Sequence, residues 1–235
     1  MNENPEFPTW IMTLIALGFF GGLAGFVFWL RERRRAGFEA LAERYGMEYY
    51  EDGSRAVMPP AEFTEEIVGG LVVDSRVGQA LVGEVQGMSI AVCEVLRFRA
   101  SSGGSERRHY SLCVAFVTLP GVELPVFAMN PRSVWRRLPG WGLSQGVDFA
   151  ETPAFARRYA VTGGDAESIR GAIRTPLREY MARLPGRCVR CYGSELAWFR
   201  PARMLRWSAF RPSEADRLLA ETVAFLRLLR ESEAR

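Results

Sequence analysis

Four places in the chain hold residue types capable of covalent or acid–base chemistry. They are the serine of "GLSQG" at 142–146, the thiols of "CVRC" at 188–191, the separated pair Cys93 and Cys113, and the single histidine, His109. The serine fits the G-x-S-x-G turn, in which a strained strand-to-helix elbow exposes a nucleophile. That turn needs a strand before it, a helix after it and a histidine further on. Here "RRLPGW" precedes Ser144, "VDFAETP" follows it, and no histidine lies beyond residue 109. No aspartate separates His109 from Ser144, so a chymotrypsin-like order is missing too. The stretch reads as a glycine-rich surface loop.

Reactive C-x-x-C thiols sit at a helix N-terminus, where the dipole lowers their pKa. "CVRC" lies in a β-rich stretch, and on a strand residues i and i+3 point to opposite faces. A zinc site needs further ligands, yet there is no second C-x-x-C, and the 20-residue spacing of Cys93 and Cys113 matches no common zinc fold. We expect structural cysteines, with no metal and no cofactor. A hairpin turning at Gly103 pairs positions whose numbers sum to about 206, as 93 and 113 do. The expectation is two reduced thiols facing each other across adjacent strands. His109 precedes Cys113 by four residues on one strand, about 13 Å when extended, too far for a thiol–imidazole pair.

The absences exclude whole classes. The chain has no lysine, which removes Walker-type phosphate loops, Schiff-base chemistry and serine–lysine dyads, and one histidine is too few for a zincin. The net charge of +3 divides as −2 over residues 1–9, +3 over 31–35 and +2 over the rest. That is no footprint for nucleic acid. Glu84, Glu94 and Asp148 remain as acid–base candidates.

The elements that must position these residues begin with "PTWIMTLIALGFFGGLAGFVFWLRERRR". Residues 10–30 carry no charge, and 21 residues of helix span roughly 31 Å, the thickness of a bilayer's hydrocarbon core. A cleaved signal peptide wants basic residues ahead of a shorter apolar run, whereas this leader carries only Glu3 and Glu6. Trp10 and Trp29 stand near the two ends, where amphipathic rings favour the interface. Arg31, Arg33, Arg34 and Arg35 abut the C-terminal end, and cationic flanks stay cytoplasmic. The expectation is an extracytoplasmic leader over 1–9, a transmembrane helix over 10–30, a juxtamembrane helix and linker over 31–60, and a cytoplasmic domain over 61–235 at the plasma (inner) membrane. Gly18 and Gly22, and Gly21 and Gly25, stand four apart. This pattern permits close approach of a second helix, from another copy or another membrane protein.

Beyond the arginines, Phe38, Leu41, Ala42 and Tyr45 keep helical spacing to about Gly46, and "AEFTEEIVGG" reads as a short helix. "QALVGEV", "MSIAVCEVLRF", "RRHYSLCVAFVTL" and "ELPVFAM" read as four strands in meander order. "ARRYAVTG" reads as a fifth strand. Asp165 caps a helix carrying Ile169, Ile173, Leu177 and Tyr180, which Pro176 kinks or restarts with Thr175 as a new cap. "RCVRCYG" and "ELAWFRP" form a hairpin, and Ser213 caps a last helix with a leucine stripe. The fold class is α+β: a transmembrane helix, then an antiparallel-sheet domain with two or three packed helices.

Residues 147–181, "VDFAETPAFARRYAVTGGDAESIRGAIRTPLREYM", resemble a group of uncharacterised bacterial single-pass membrane-anchored proteins. In that group an F-x-x-x-P-x-F-x-x-x-Y stretch precedes a Gly-Asp-capped helix, and Phe149, Pro153, Phe155 and Tyr159 occupy those positions here. "LVGEVQGMSIAV" and "LPVFAMNP" are similar to the same group. The resemblance implies the anchor and the fold, and carries over no catalytic residue. The resulting expectation is a membrane-tethered, non-catalytic interaction or structural domain; the alternative is a membrane-anchored enzyme with a carboxylate-based site.

Overall fold

The computed structural model describes residues 9–57, 74–99, 108–135, 146–184, 186–200 and 210–233. Helix α1 (Thr9–Tyr45) is unbroken over 37 residues. Through Leu30 its described side chains are exposed on every side. By length and composition it can cross a membrane. Further along, Phe38, Leu41 and Ala42 are buried in the main core, so the helical spacing of that stretch marks a packing face. The helix stops at Gly46, whose φ of +65° suits glycine.

Nine strands follow among the described residues: β1 (Glu48–Tyr50), β2 (Asp74–Val85), β3 (Met88–Arg99), β4 (Arg108–Thr118), β5 (Leu124–Pro131), β6 (Gly146–Val147), β7 (Tyr159–Gly163), β8 (Cys188–Gly193) and β9 (Glu195–Phe199). Between them lie a 3-10 turn (Gly53–Arg55) and helices α2 (Arg132–Trp135), α3 (Pro153–Arg158), α4 (Ala166–Ala172) and α5 (Thr175–Arg183); α6 (Pro212–Glu233) closes the chain. One sheet holds these nine strands in the order β1-β2-β3-β4-β9-β8-β5-β7-β6. All its pairings are antiparallel, and the fold is α+β. β2 and β3 turn through Gln86 and Gly87, both at positive φ (56° and 74°), the backbone that matches strand twist in a two-residue hairpin.

The expected four-strand meander is corrected at its end. β2, β3 and β4 are consecutive neighbours, but the β8–β9 hairpin lies between β4 and β5. The short link after β4 contains Gly121 at φ +74° and carries the chain past that slot. The register corrects the thiol pair as well: Cys93 lies opposite Val114, and Cys113 opposite Glu94. Being one position out of step sends the two thiols to opposite faces.

Among the described residues α1, α3, α4, α5 and α6 pack on one face of the sheet, over a core in which Trp198 meets Phe225 at 4.7 Å. Cys93, Val95, Val114, Cys188 and Phe199 line the other face. Two cap assignments also shift. Asp165 does cap α4, accepting from the amides of Glu167 and Ser168. Thr175 lies inside α5, however, with Arg174 at the cap position. α6 starts at Pro212, one residue ahead of Ser213, because proline's missing N–H costs nothing in a first turn. The short helix expected at 61–70 lies outside the described residues.

Candidate functional site

The four collar arginines have four different partners. Residues 31, 35, 39 and 42 recur at i, i+4, i+8 and i+11, a single stripe along α1. On that stripe Arg31 pairs with Glu51, just past β1, and Arg35 Nε donates to Glu39 Oε1 at 2.8 Å. Arg34, on the neighbouring stripe with Phe38, Leu41 and Tyr45, turns into the domain. Its Nη2 donates to the Phe210 carbonyl at 2.7 Å and lies 3.8 Å from Glu94 Oε2. Arg33 is outermost, its guanidinium carbon 5.3 Å from the centre of the Trp29 ring. Trp29 and Trp10 are exposed.

Where the stripe meets β1, a shallow cleft of about 290 Å³ is lined by Arg35, Glu39, Ala42, Tyr49 and Glu51. The Tyr49 ring stacks on Phe38 at 5.4 Å, and Phe38 stacks on Phe210 at 4.7 Å. These rings tie α1, β1 and the segment before α6 together. The Tyr49 hydroxyl is buried and has no hydrogen-bond partner among the described residues, and burial, then Glu51, raises its pKa. The hydrogen bond and charge of Arg31 lower the pKa of Glu51, and those of Glu39 raise that of Arg35. Sequence reasoning did not anticipate this cleft. Its only local signal was the tyrosine pair in "EYYED" after Gly46.

The glycine face of α1 is open, since a Cβ added at Gly18, Gly21, Gly22 or Gly25 would find, beyond the helix's own backbone and the glycine's chain neighbours, no atom of the described residues within 4 Å. The structure does not gather the other candidates. Ser144 lies outside the described residues. His109 stands opposite Phe98 at the start of β4. All four cysteines are free and buried. Cys188 and Cys191 take opposite faces of β8, as i and i+3 on a strand must, and burial pushes each thiol up to about 12. Burial also pushes Cys93 and Cys113 well up. Among the described residues no group of three potential metal ligands forms.

The three carboxylates do not converge either. Glu94 is buried and accepts from the Ser111 hydroxyl at 2.5 Å. Glu84 is exposed beside the β2–β3 turn, and Asp148 follows β6 at the opposite edge of the sheet. The F-x-x-x-P-x-F-x-x-x-Y residues form an aromatic ladder: Phe149 meets Phe155 edge-on at 5.3 Å, and Phe155 stacks on Tyr159 at 5.5 Å. That motif is packing.

No protein-family model and no curated protein matches the chain. Among solved structures it is similar to the crystal structure of the mycobacterial trehalose monomycolate transport factor A, TtfA. The match has 14 % identity and a TM-score of 0.46, and covers 83 % of this chain and 93 % of that one.

Proposed function

We propose that the chain is a bacterial single-pass protein of the plasma (inner) membrane, with its N-terminus outside and its main domain on the cytoplasmic face. The domain serves as a non-catalytic interaction or structural module. One observation carries this reading: the exposed apolar half of α1 runs unbroken into a half whose Phe38, Leu41 and Ala42 belong to the domain core. Such a helix, exposed on all sides over its apolar half, calls for lipid around it. The arginines at the changeover favour the cytoplasmic side. The partners on this reading are the bilayer and, through Gly18, Gly21, Gly22 and Gly25, a second copy or another membrane helix. The scatter of Glu84, Glu94 and Asp148 weighs for a module over an enzyme.

Carbonate washing of vesicles should leave the full chain in the pellet. Protease added to intact spheroplasts should spare the domain and digest it only after lysis. Release by carbonate, or digestion from outside, would overturn the placement. Turnover of a metabolite by the purified chain would overturn the non-catalytic part.

A further inference from the structure

Three contacts align β3 with α1. Met47, whose amide donates to the Ala42 carbonyl at 2.8 Å, packs so closely on Gly83 that a Cβ there would lie 2.9 Å from Met47 Cγ, and Gly83 pairs with Ile90. Tyr49 stacks on Phe38 and pairs with Leu81, which pairs with Val92. Arg34 lies 3.8 Å from Glu94. Ile90, Val92 and Glu94 thus follow Ala42, Phe38 and Arg34 in turn. Two strand residues advance about 6.6 Å and four helix residues about 6 Å, so β3 runs back along α1 at matching pace.

On the membrane-anchored reading, on which this inference rests, one more such step brings Leu96 level with Leu30, the last residue of the uncharged run. The ribbon of β2, β3 and β4 therefore ends at the lipid surface. Its described positions past Glu94 carry four arginines, Arg76, Arg97, Arg99 and Arg108, against one carboxylate, Asp74. Arg99 is registered directly opposite Arg108, and Arg97, two residues before Arg99, falls on the same face of the ribbon. Like charges opposite one another are destabilising in water, and an anionic surface turns that repulsion into attraction. A ribbon end so charged stays out of hydrocarbon. The bulge between Val77 and Ala80 lies opposite Glu94, one step before the lipid level, and bulges are where ribbons bend. We propose that the ribbon beyond this bulge rests in the headgroup layer of an anionic bilayer, as a second membrane contact beside α1.

Hydrogen exchange of the full chain tests this, in nanodiscs of phosphatidylcholine alone and of equal phosphatidylcholine and phosphatidylglycerol. Amides of 97–99 and 108–110 should exchange about tenfold more slowly in the anionic discs, since each basic residue near such a surface favours contact roughly fivefold. High salt should remove the difference, and β8 amides should show none. The variant Arg97→Gln/Arg99→Gln/Arg108→Gln should lose the dependence on lipid charge. Its melting temperature in detergent should equal or exceed that of wild type, because the opposed Arg99–Arg108 pair is gone. Asp74→Asn, which removes the carboxylate, should widen the difference between the two discs.

Equal exchange in both discs, a difference that survives high salt, or slowing by added RNA but not by anionic lipid would overturn the proposal and leave the anchor standing. A lowered melting temperature for the triple variant would assign its arginines to the fold and overturn the proposal too. Release of the chain from membranes by carbonate would overturn the anchor, and this inference with it.

Discussion

Replacing Arg34 by glutamine separates the two jobs a basic collar can do. If the arginines served lipid alone, all four would be interchangeable for folding. The structure sets Arg34 apart, because its guanidinium donates to the Phe210 carbonyl at 2.7 Å and lies 3.8 Å from Glu94 Oε2. A hydrogen bond from a charged group contributes about 1.5–3 kcal/mol when the acceptor is withdrawn from water. The side chain of Arg34 is 34 % exposed, so solvent screening holds the long Glu94 contact to a few tenths of a kcal/mol and favours the lower end for the bond. The sum is about 2 kcal/mol, which for a chain of this size lowers Tm by roughly 4–8 °C. Among the described residues Arg33 is placed against the exposed Trp29 ring, so Arg33→Gln should stay within about 0.5 kcal/mol. Thermal melts of both variants as full chains in one detergent give the comparison, and carbonate washing shows whether each stays in the membrane. Equal melts for the two variants would refute the reasoning, as would loss of membrane retention in Arg34→Gln without a change in Tm.

The remaining predictions concern the domain. Gly163→Ala places a methyl 2.4 Å from Ile169 Cδ1 and 2.5 Å from the Val126 carbonyl oxygen. It should cost about 2–3 kcal/mol by thermal melt, whereas Gly164→Ala, with no atom within 4 Å, should be near neutral. Arg187, 2 % exposed, pairs with Glu221 at 2.5 Å and lies 3.5 Å from Glu214. Arg187→Met should cost about 3–5 kcal/mol, and adding Glu221→Leu should recover part of it, which a double-mutant melt reads directly. Cys188 and Cys191 sit at about 12 in the folded chain, against about 9 for an exposed thiol. Between those values the unfolded chain gives up protons that the folded one keeps, so stability is intact below about pH 9 and falls as pH rises toward 12. The slope is about 1.4 kcal/mol per pH unit for each thiol, and a Cys188→Ala/Cys191→Ala variant with the same alkaline slope would contradict the assignment. In native protein at pH 8 all four thiols should resist a thiol reagent that modifies them at once in denaturant.

Signals confined to a dozen neighbouring residues were legible in the sequence. The run over 10–30, the apolar stripe Phe38, Leu41, Ala42 and Tyr45, the Asp165 cap and the hairpin of "RCVRCYG" and "ELAWFRP" each depend on contacts a few residues apart, and each appears. Relations set by distant segments were not legible. Nothing near β4 announces that residues 188–199 will occupy the slot beside it, because strand adjacency is decided by the burial of whole faces. The Cys93–Cys113 error shows how little margin a register argument has, since half a residue in the turn centre exchanges faces. β1 was missed because three residues, "EYY", carry no period. The cleft was invisible for a related reason: Arg31 and Glu51 stand 20 positions apart and meet only because β1 folds back along α1.

The junction also bears on what the domain can do on the membrane-anchored reading. A tether joined by a flexible linker would let the domain face any direction, and its membrane segment would supply only local concentration. Here the segment between apolar span and domain is helix. Phe38 is stacked on both Tyr49 and Phe210, and Gly37 lets Pro212 approach so closely that a Cβ would lie 2.8 Å from its ring. Rotating α1 about its axis would have to break that stack, together with the Arg34–Phe210 bond, before the sheet could stay behind. On the membrane-anchored reading, α1 and the nine-stranded sheet therefore move as one body. A neighbour that packs on the glycine face inside the bilayer would then fix which edge of the sheet faces the next protein. On that reading the sheet edge at β1 is also where α1 enters the core, so a contact made there bears directly on the joint that sets the domain's direction.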